Sequence, residues 1–201
     1  MEILSDTKYE NCDFTDSNIE FQDIKKSSFN NCNFRNTKME ESIIKSCEFI
    51  KCNFKASRLN ACNIKDSAFL NCKFEFADLF GAEFTDCKMV GSTFDEANML
   101  GVVIVRGDFS YTNLKFQDFK GIDFSEVNLT RTDFTGCNLE KTNFNKAILS
   151  YTILHKAKLK GCDFREALIE GINLSELDLH NVKLDIAQCM LLATSFGAIV
   201  E

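Results

Sequence analysis

Proline and tryptophan are absent from this 201-residue chain and histidine occurs twice, while phenylalanine reaches 20 and cysteine 10. Such a skewed inventory is what one short unit repeated many times produces. There is no excess of basic charge: the formal net charge is −7, which argues against nucleic-acid binding through a basic patch. No stretch approaches the roughly 18 uninterrupted apolar residues of a membrane span, and MEILSDTKYE has no apolar core of signal-peptide length. The expectation is a soluble, cytoplasmic protein without membrane contact.

What is present is a strict period of five. Between Gly121 and Phe144 the large apolar residues are Phe124, Leu129, Phe134, Leu139 and Phe144, and two places before the last four come Val127, Thr132, Cys137 and Thr142. Neither the 3.6-residue period of a helix nor the two-residue period of a flat strand fits, so the chain must bend at a fixed interval. The same phase holds from Leu4 to Leu184 without a shift, which leaves no room for a linker. Two of every five residues point inward. The exceptions among the small inward residues are Gln22 and Gln117.

Units such as Cys72–Phe76, Ala77–Gly81, Cys137–Lys141 and Cys162–Glu166 resemble the A(D/N)LXX consensus of the pentapeptide-repeat family. That resemblance implies an all-β fold, a right-handed quadrilateral β-helix of four units per coil. Residues twenty apart would then stack about 4.8 Å apart, and roughly nine coils would make a rod of about 43 Å. Phe14, Phe34, Phe54, Phe74 and Phe94 would form an internal ladder. Gly81, Gly101, Gly121 and Gly161 would form a corner column suited to positive φ, interrupted by Lys141.

Nine of the ten cysteines occupy the small inward place. Cys12, Cys32, Cys52 and Cys72 would share one column, but a linear stack cannot present four sulfurs tetrahedrally to a metal. They read as packing residues interchangeable with Ser, Thr and Ala, and neither metal nor cofactor is expected. The column continues inward as Ser92, Thr112, Thr132 and Thr152, so it offers no exposed threonine array. His155 and His180 should point outward, and neither a nucleophile motif nor a phosphate loop is present. A binding protein is expected, not an enzyme.

Residues 61 to 140 carry 13 acids against 7 bases. On one side Glu83 and Asp86, Asp123 and Glu126, and Asp163 and Glu166 flank the centres of alternate coils, with Arg106 and Lys146 between them. They would recur about every 9.6 Å, near the roughly 10 Å covered by three base steps of duplex DNA. After Leu184 the period ends. Asp185 and Gln188 have the form of a capping box and Gly197 that of a stop, so the division expected is a repeat domain over 1–185 and a C-terminal helix and tail over 186–201. Ile186, Cys189, Met190, Ala193 and Phe196 follow helical spacing while Leu191 and Leu192 lie away from that stripe, and a helix apolar on more than one side can cover the open end of the coil and still leave surface for a partner. Ile186, Met190, Leu191, Leu192 and Phe196 are the candidates for homodimer formation.

The tail, Asn181 to Asp185 with Gln188, Leu191, Leu192 and Gly197 to Val200, is similar to that of the quinolone-resistance (Qnr) pentapeptide proteins, and Gly101–Arg106 to their irregular middle coil. The resemblance implies a homodimeric rod that imitates duplex DNA, binds DNA gyrase or topoisomerase IV without touching nucleic acid itself, and protects it from quinolones. The six acids above are its candidate phosphate-like surface. Many Qnr proteins carry two projecting loops that support protection; the unbroken register here has none, as in gyrase-binding relatives of the mycobacterial MfpA type. The alternative is a structural or adaptor solenoid using the outward residues Phe76, Phe80, Leu100 and Phe116.

Overall fold

The computed structural model describes residues 3–200, and they form a quadrilateral β-helix closed by one α-helix. Every fifth residue from Asp6 to Gly171 adopts a left-handed φ between 48 and 78°, and each marks a corner. At many corners a backbone bond closes a four-residue turn, as from Ser17 N–H to the Phe14 carbonyl at 3.0 Å, with the left-handed residue third in the turn as in type II geometry. Glycine is therefore not what makes the corner. Lys141, expected to interrupt the glycine column, turns with φ 61° like its neighbours.

Consecutive coils pair in parallel at a register of twenty, as in Asp13 with Asn33, Asn33 with Asn53, and onward in one column to Ile153. Extended strands occupy two adjacent faces of the first half. One face holds β2 (Asp23–Lys25), β4 (Ile43–Lys45), β6 (Asn63–Lys65), β8 (Glu83–Lys88) and β9 (Val103–Asp108); the other holds β1 (Lys8–Glu10), β3 (Ser28–Asn30), β5 (Glu48–Ile50) and β7 (Ala68–Leu70). β8 runs through the corner and pairs with both β6 and β7, and β9 follows it.

At these drawn-out corners the inward residue is Cys12, Ser27, Cys32, Cys47, Cys52, Ser67, Cys72 or Cys87, each with a side chain that can donate, and at β9 it is Gly107, which has none. Cys87 Sγ–H, for example, reaches the Thr85 carbonyl at 3.3 Å and the Ile64 carbonyl of the coil below at 3.4 Å. The expectation that Cys, Ser, Thr and Ala are interchangeable is corrected here. Alanine and valine serve only where the backbone closes its own turn, as at Ala77, Ala82 and Val127. A bond from the inward side chain to the carbonyl twenty-three residues earlier recurs along the rod, from Thr37 to Phe14 at 2.9 Å and from Cys162 to Leu139 at 2.8 Å. Gln117 obeys the same rule, its amide donating to the Phe94 carbonyl at 3.0 Å.

The core is two side-by-side aromatic ladders in the first half. Phe14, Phe34, Phe54, Phe74 and Phe94 stack with centroids 4.7–4.9 Å apart, and Tyr9, Phe29, Phe49 and Phe69 stack at 4.6–4.8 Å. Rings of the two ladders meet edge to face, a favoured aromatic arrangement. At the first coil the phase fails: Ile3 is buried and Leu4 is exposed.

α1 (Ile186–Ser195) begins at Asp185 with the expected capping box and is followed by Gly197 at φ 85°. Its inward side is centred on a polar residue. Gln188 is the buried residue, its amide donating to the Phe164 and Ala167 carbonyls at 2.6 and 2.8 Å, while Leu192 and Ala193 are partly covered. Ile186, Cys189, Met190 and Phe196 face outward. The left-open carbonyls of the last coil are polar, so an amide meets them better than a methyl group would.

Candidate partner-binding face

The face that carries β2, β4, β6, β8 and β9 also carries all six candidate acids, because residues 83, 123 and 163 share one column and 86, 126 and 166 share the adjoining corner. Their charges are not equally free. Asp86 accepts two hydrogen bonds from Arg106 of the next coil, Nε at 2.7 Å and Nη2 at 2.8 Å, and these hold its carboxyl below the usual carboxylate range. Asp163 accepts a similar pair from Arg165 at 2.9 and 2.7 Å with Lys183 at 3.5 Å, which lowers it to about 2. Both charges are locally neutralised.

Four acids remain without an ion pair among the described residues: Glu83, Asp123, Glu126 and Glu166, all exposed. Glu83 lies 3.4 Å from the Asn63 amide, and Glu166 3.3 Å from that of Asn145. Asp123 accepts from Ser125 N–H at 2.9 Å and from the Asn143 amide at 3.0 Å, which fixes the carboxylate without cancelling its charge. Asp123 and Glu126 border a groove of about 440 Å³ whose other wall is Val102 to Arg106. The groove follows from local structure, since Gly121 presents no side chain and β9 displays Val103 and Val105 outward.

The sign of the face changes along the rod. Lys25, Lys45 and Lys65 pair in register on β2, β4 and β6, and although Lys25 is ion-paired with Asp23, Lys45 and Lys65 leave this end of the face basic before acids dominate from Asp66 onward. This lysine column was countable from the twenty-residue register, but the summed charge of residues 1–60 conceals it.

His155 and His180 are exposed, and among the described residues no cluster of His, Cys, Asp and Glu could hold a metal. Burial raises the inward thiols, Cys62, Cys137 and Cys162 to about 12 and Cys32 and Cys87 to about 11, so they stay protonated donors. Of the five tail residues expected to pair, Ile186, Met190, Leu191 and Phe196 are exposed, whereas Leu192 packs on the core. No helix among the described residues is long and apolar enough to cross a membrane.

Two sequence-family models match, pentapeptide repeats over residues 77–115, 108–145 and 128–166, and the pentapeptide repeat region over residues 22–83. Full-length QnrB1, a plasmid-mediated fluoroquinolone resistance protein, superposes with a TM-score of 0.86 at 20% identity, covering 98% of this chain and 100% of its own. A trypsin-treated form of QnrB1 gives 0.82 at 20% identity, covering 98% and 99%. HetL, a pentapeptide repeat protein involved in heterocyst differentiation regulation from the cyanobacterium Nostoc sp. strain PCC 7120, gives 0.59 at 16% identity, covering 91% and 86%. No curated protein matches in sequence.

Proposed function

The chain belongs to the pentapeptide-repeat family, and on that premise we propose that it is a Qnr-like binding protein which engages DNA gyrase or topoisomerase IV as a mimic of duplex DNA. The observation that carries the reading is the exposed pair Asp123 and Glu126, neither held in a direct ion pair among the described residues, beside the Val103–Arg106 groove, on a rod that matches QnrB1 from end to end. Fixed carboxylates along a rigid rod can occupy a cationic DNA-binding channel without base contacts, as phosphates do. The reading includes homodimerisation through Ile186, Met190, Leu191 and Phe196, a cytoplasmic site of action, and no catalysis.

The test is gyrase supercoiling with purified protein, with and without a fluoroquinolone, repeated with Asp123→Lys and Glu126→Lys together. Inhibition or rescue that the double substitution abolishes supports mimicry through this face. Absence of any effect at micromolar protein, from a sample shown to be folded and dimeric, overturns it.

The adaptor reading is favoured by a different observation. Asp86 and Asp163 lend no free charge to the acidic face, while large apolar side chains stand outward on another face.

A further inference from the structure

The apolar residues left outside the rod include one organised group. The twenty-residue register places Phe76, Glu96 and Phe116 in one column, Asp78, Asn98 and Asp118 in the next, and Phe80, Leu100 and Lys120 in a third. Three consecutive coils thus present a three-by-three grid on a face other than the one bearing Asp123 and Glu126. Phe76 and Phe80 are each 51% exposed, Leu100 58% and Phe116 77%.

Folding does not call for these side chains. Phe76 and Phe116 sit at left-handed corners, φ 58 and 61°, where a bulky residue is disfavoured, and the next residue in the column is Gly136 at φ 70°. The Phe116 ring lies over Gly136, where a Cβ would collide with it. Lys55 Nζ stands 5.3 Å from the centre of the Phe76 ring, a cation-over-aromatic contact that the surface already makes within the chain.

The charges around the grid that lack an ion pair are acidic. Asp78, Glu96 and Asp118 make no ion pair among the described residues, whereas the neighbouring Lys55, Lys115 and Lys120 are paired with Glu75, Asp133 and Glu140. We propose that this face docks a basic amphipathic helix of a protein partner. Its apolar stripe would rest on Phe80, Leu100, Phe76 and Phe116, and its Lys or Arg residues would meet Asp78, Glu96 and Asp118. Coils repeat about every 4.8 Å, and side chains one helical turn apart are about 5–6 Å apart, so a helix laid along the rod meets one anchor per coil. Helix-in-groove recognition uses the same spacing of anchors.

The probe is a fluorescently labelled peptide of leucine and lysine at helical spacing, followed by anisotropy at low and high salt. Saturable, salt-sensitive binding is expected, weakened about tenfold or more by Leu100→Ser with Phe116→Gly and several-fold by Glu96→Lys. Asp123→Lys with Glu126→Lys should leave it unchanged. Phe116→Gly suits the left-handed corner, so loss of binding there is not loss of folding. Binding indifferent to the Leu100 and Phe116 changes, or equally weakened by those at Asp123 and Glu126, overturns the proposal. So does sedimentation showing self-association that the Leu100 and Phe116 variant abolishes, which would make a second copy the occupant.

Discussion

Arg106 reaches back one coil to hold Asp86 by two hydrogen bonds, at 2.7 and 2.8 Å, and so removes one of the six acids from the field of its face. Replacing it by glutamine should free that charge. Arg106→Gln is expected to raise the Asp86 pKa toward the usual range, read by NMR titration. Under the topoisomerase reading it also strengthens gyrase binding at low ionic strength, with the difference shrinking as salt screens it.

The inward cysteines at the drawn-out corners should tolerate serine better than alanine. Cys87→Ala removes the donor to the Thr85 and Ile64 carbonyls and should cost about 1–2 kcal/mol in urea unfolding. Cys87→Ser keeps a donor and should cost less. Equal losses would reduce the thiol to filler.

Five buried inward thiols, Cys32, Cys62, Cys87, Cys137 and Cys162, set an alkaline limit. Their folded pKa values are raised to about 11–12, against about 8.5 for a free thiol. The folded state therefore holds protons that the unfolded state releases. That stability is complete below the unfolded value and is lost as pH climbs toward the folded ones. Urea midpoints should be flat near neutrality and fall above about pH 9. In the native state a thiol reagent should label exposed Cys189 first, and the buried cysteines only on unfolding.

Glycines should separate by what surrounds them. Gly107 has φ 116° and a Cβ there would collide with the Cys87 carbonyl, so Gly107→Ala should cost more than about 2 kcal/mol. Gly81, at φ 65° with nothing near the added carbon, should lose only about 1 kcal/mol as alanine. Denaturant melts of the two variants make the comparison.

Gln188 joins the tail to the last coil. Gln188→Ala removes its bonds to Phe164, Ala167 and Asp185 and should cost about 1–2 kcal/mol. Hydrogen exchange should quicken around residues 164–170 and in α1, leaving the first coils unchanged.

The ladder from Phe14 to Phe94, the corner interval and the Asp185–Gln188 cap are legible in the sequence because each depends on spacing alone. Leu4 misleads because the side chain that turns inward at the first described coil is Ile3, one place earlier in the sequence. Gln117 looks like a fault until its amide is seen to span to Phe94. The cysteines are legible as small and inward but not as donors, since a corner closed by backbone and one closed by a side chain share the same five-residue phase. In the candidate face, the sequence places the six acids together. Arg106 appears there only as an interruption, although Asp86 lies twenty residues before it and is thus its stacking neighbour.

The unbroken register also governs how this molecule can change by inheritance. An in-frame loss of one repeat turns everything downstream by a quarter revolution, carrying Asp163 and the tail to a different side from Glu83. Loss of four consecutive repeats shortens the rod by one storey and leaves every side aligned. Lineages of such a chain can therefore vary its reach in whole storeys while keeping its markings, or re-aim one end against the other in quarter turns, by deletions alone.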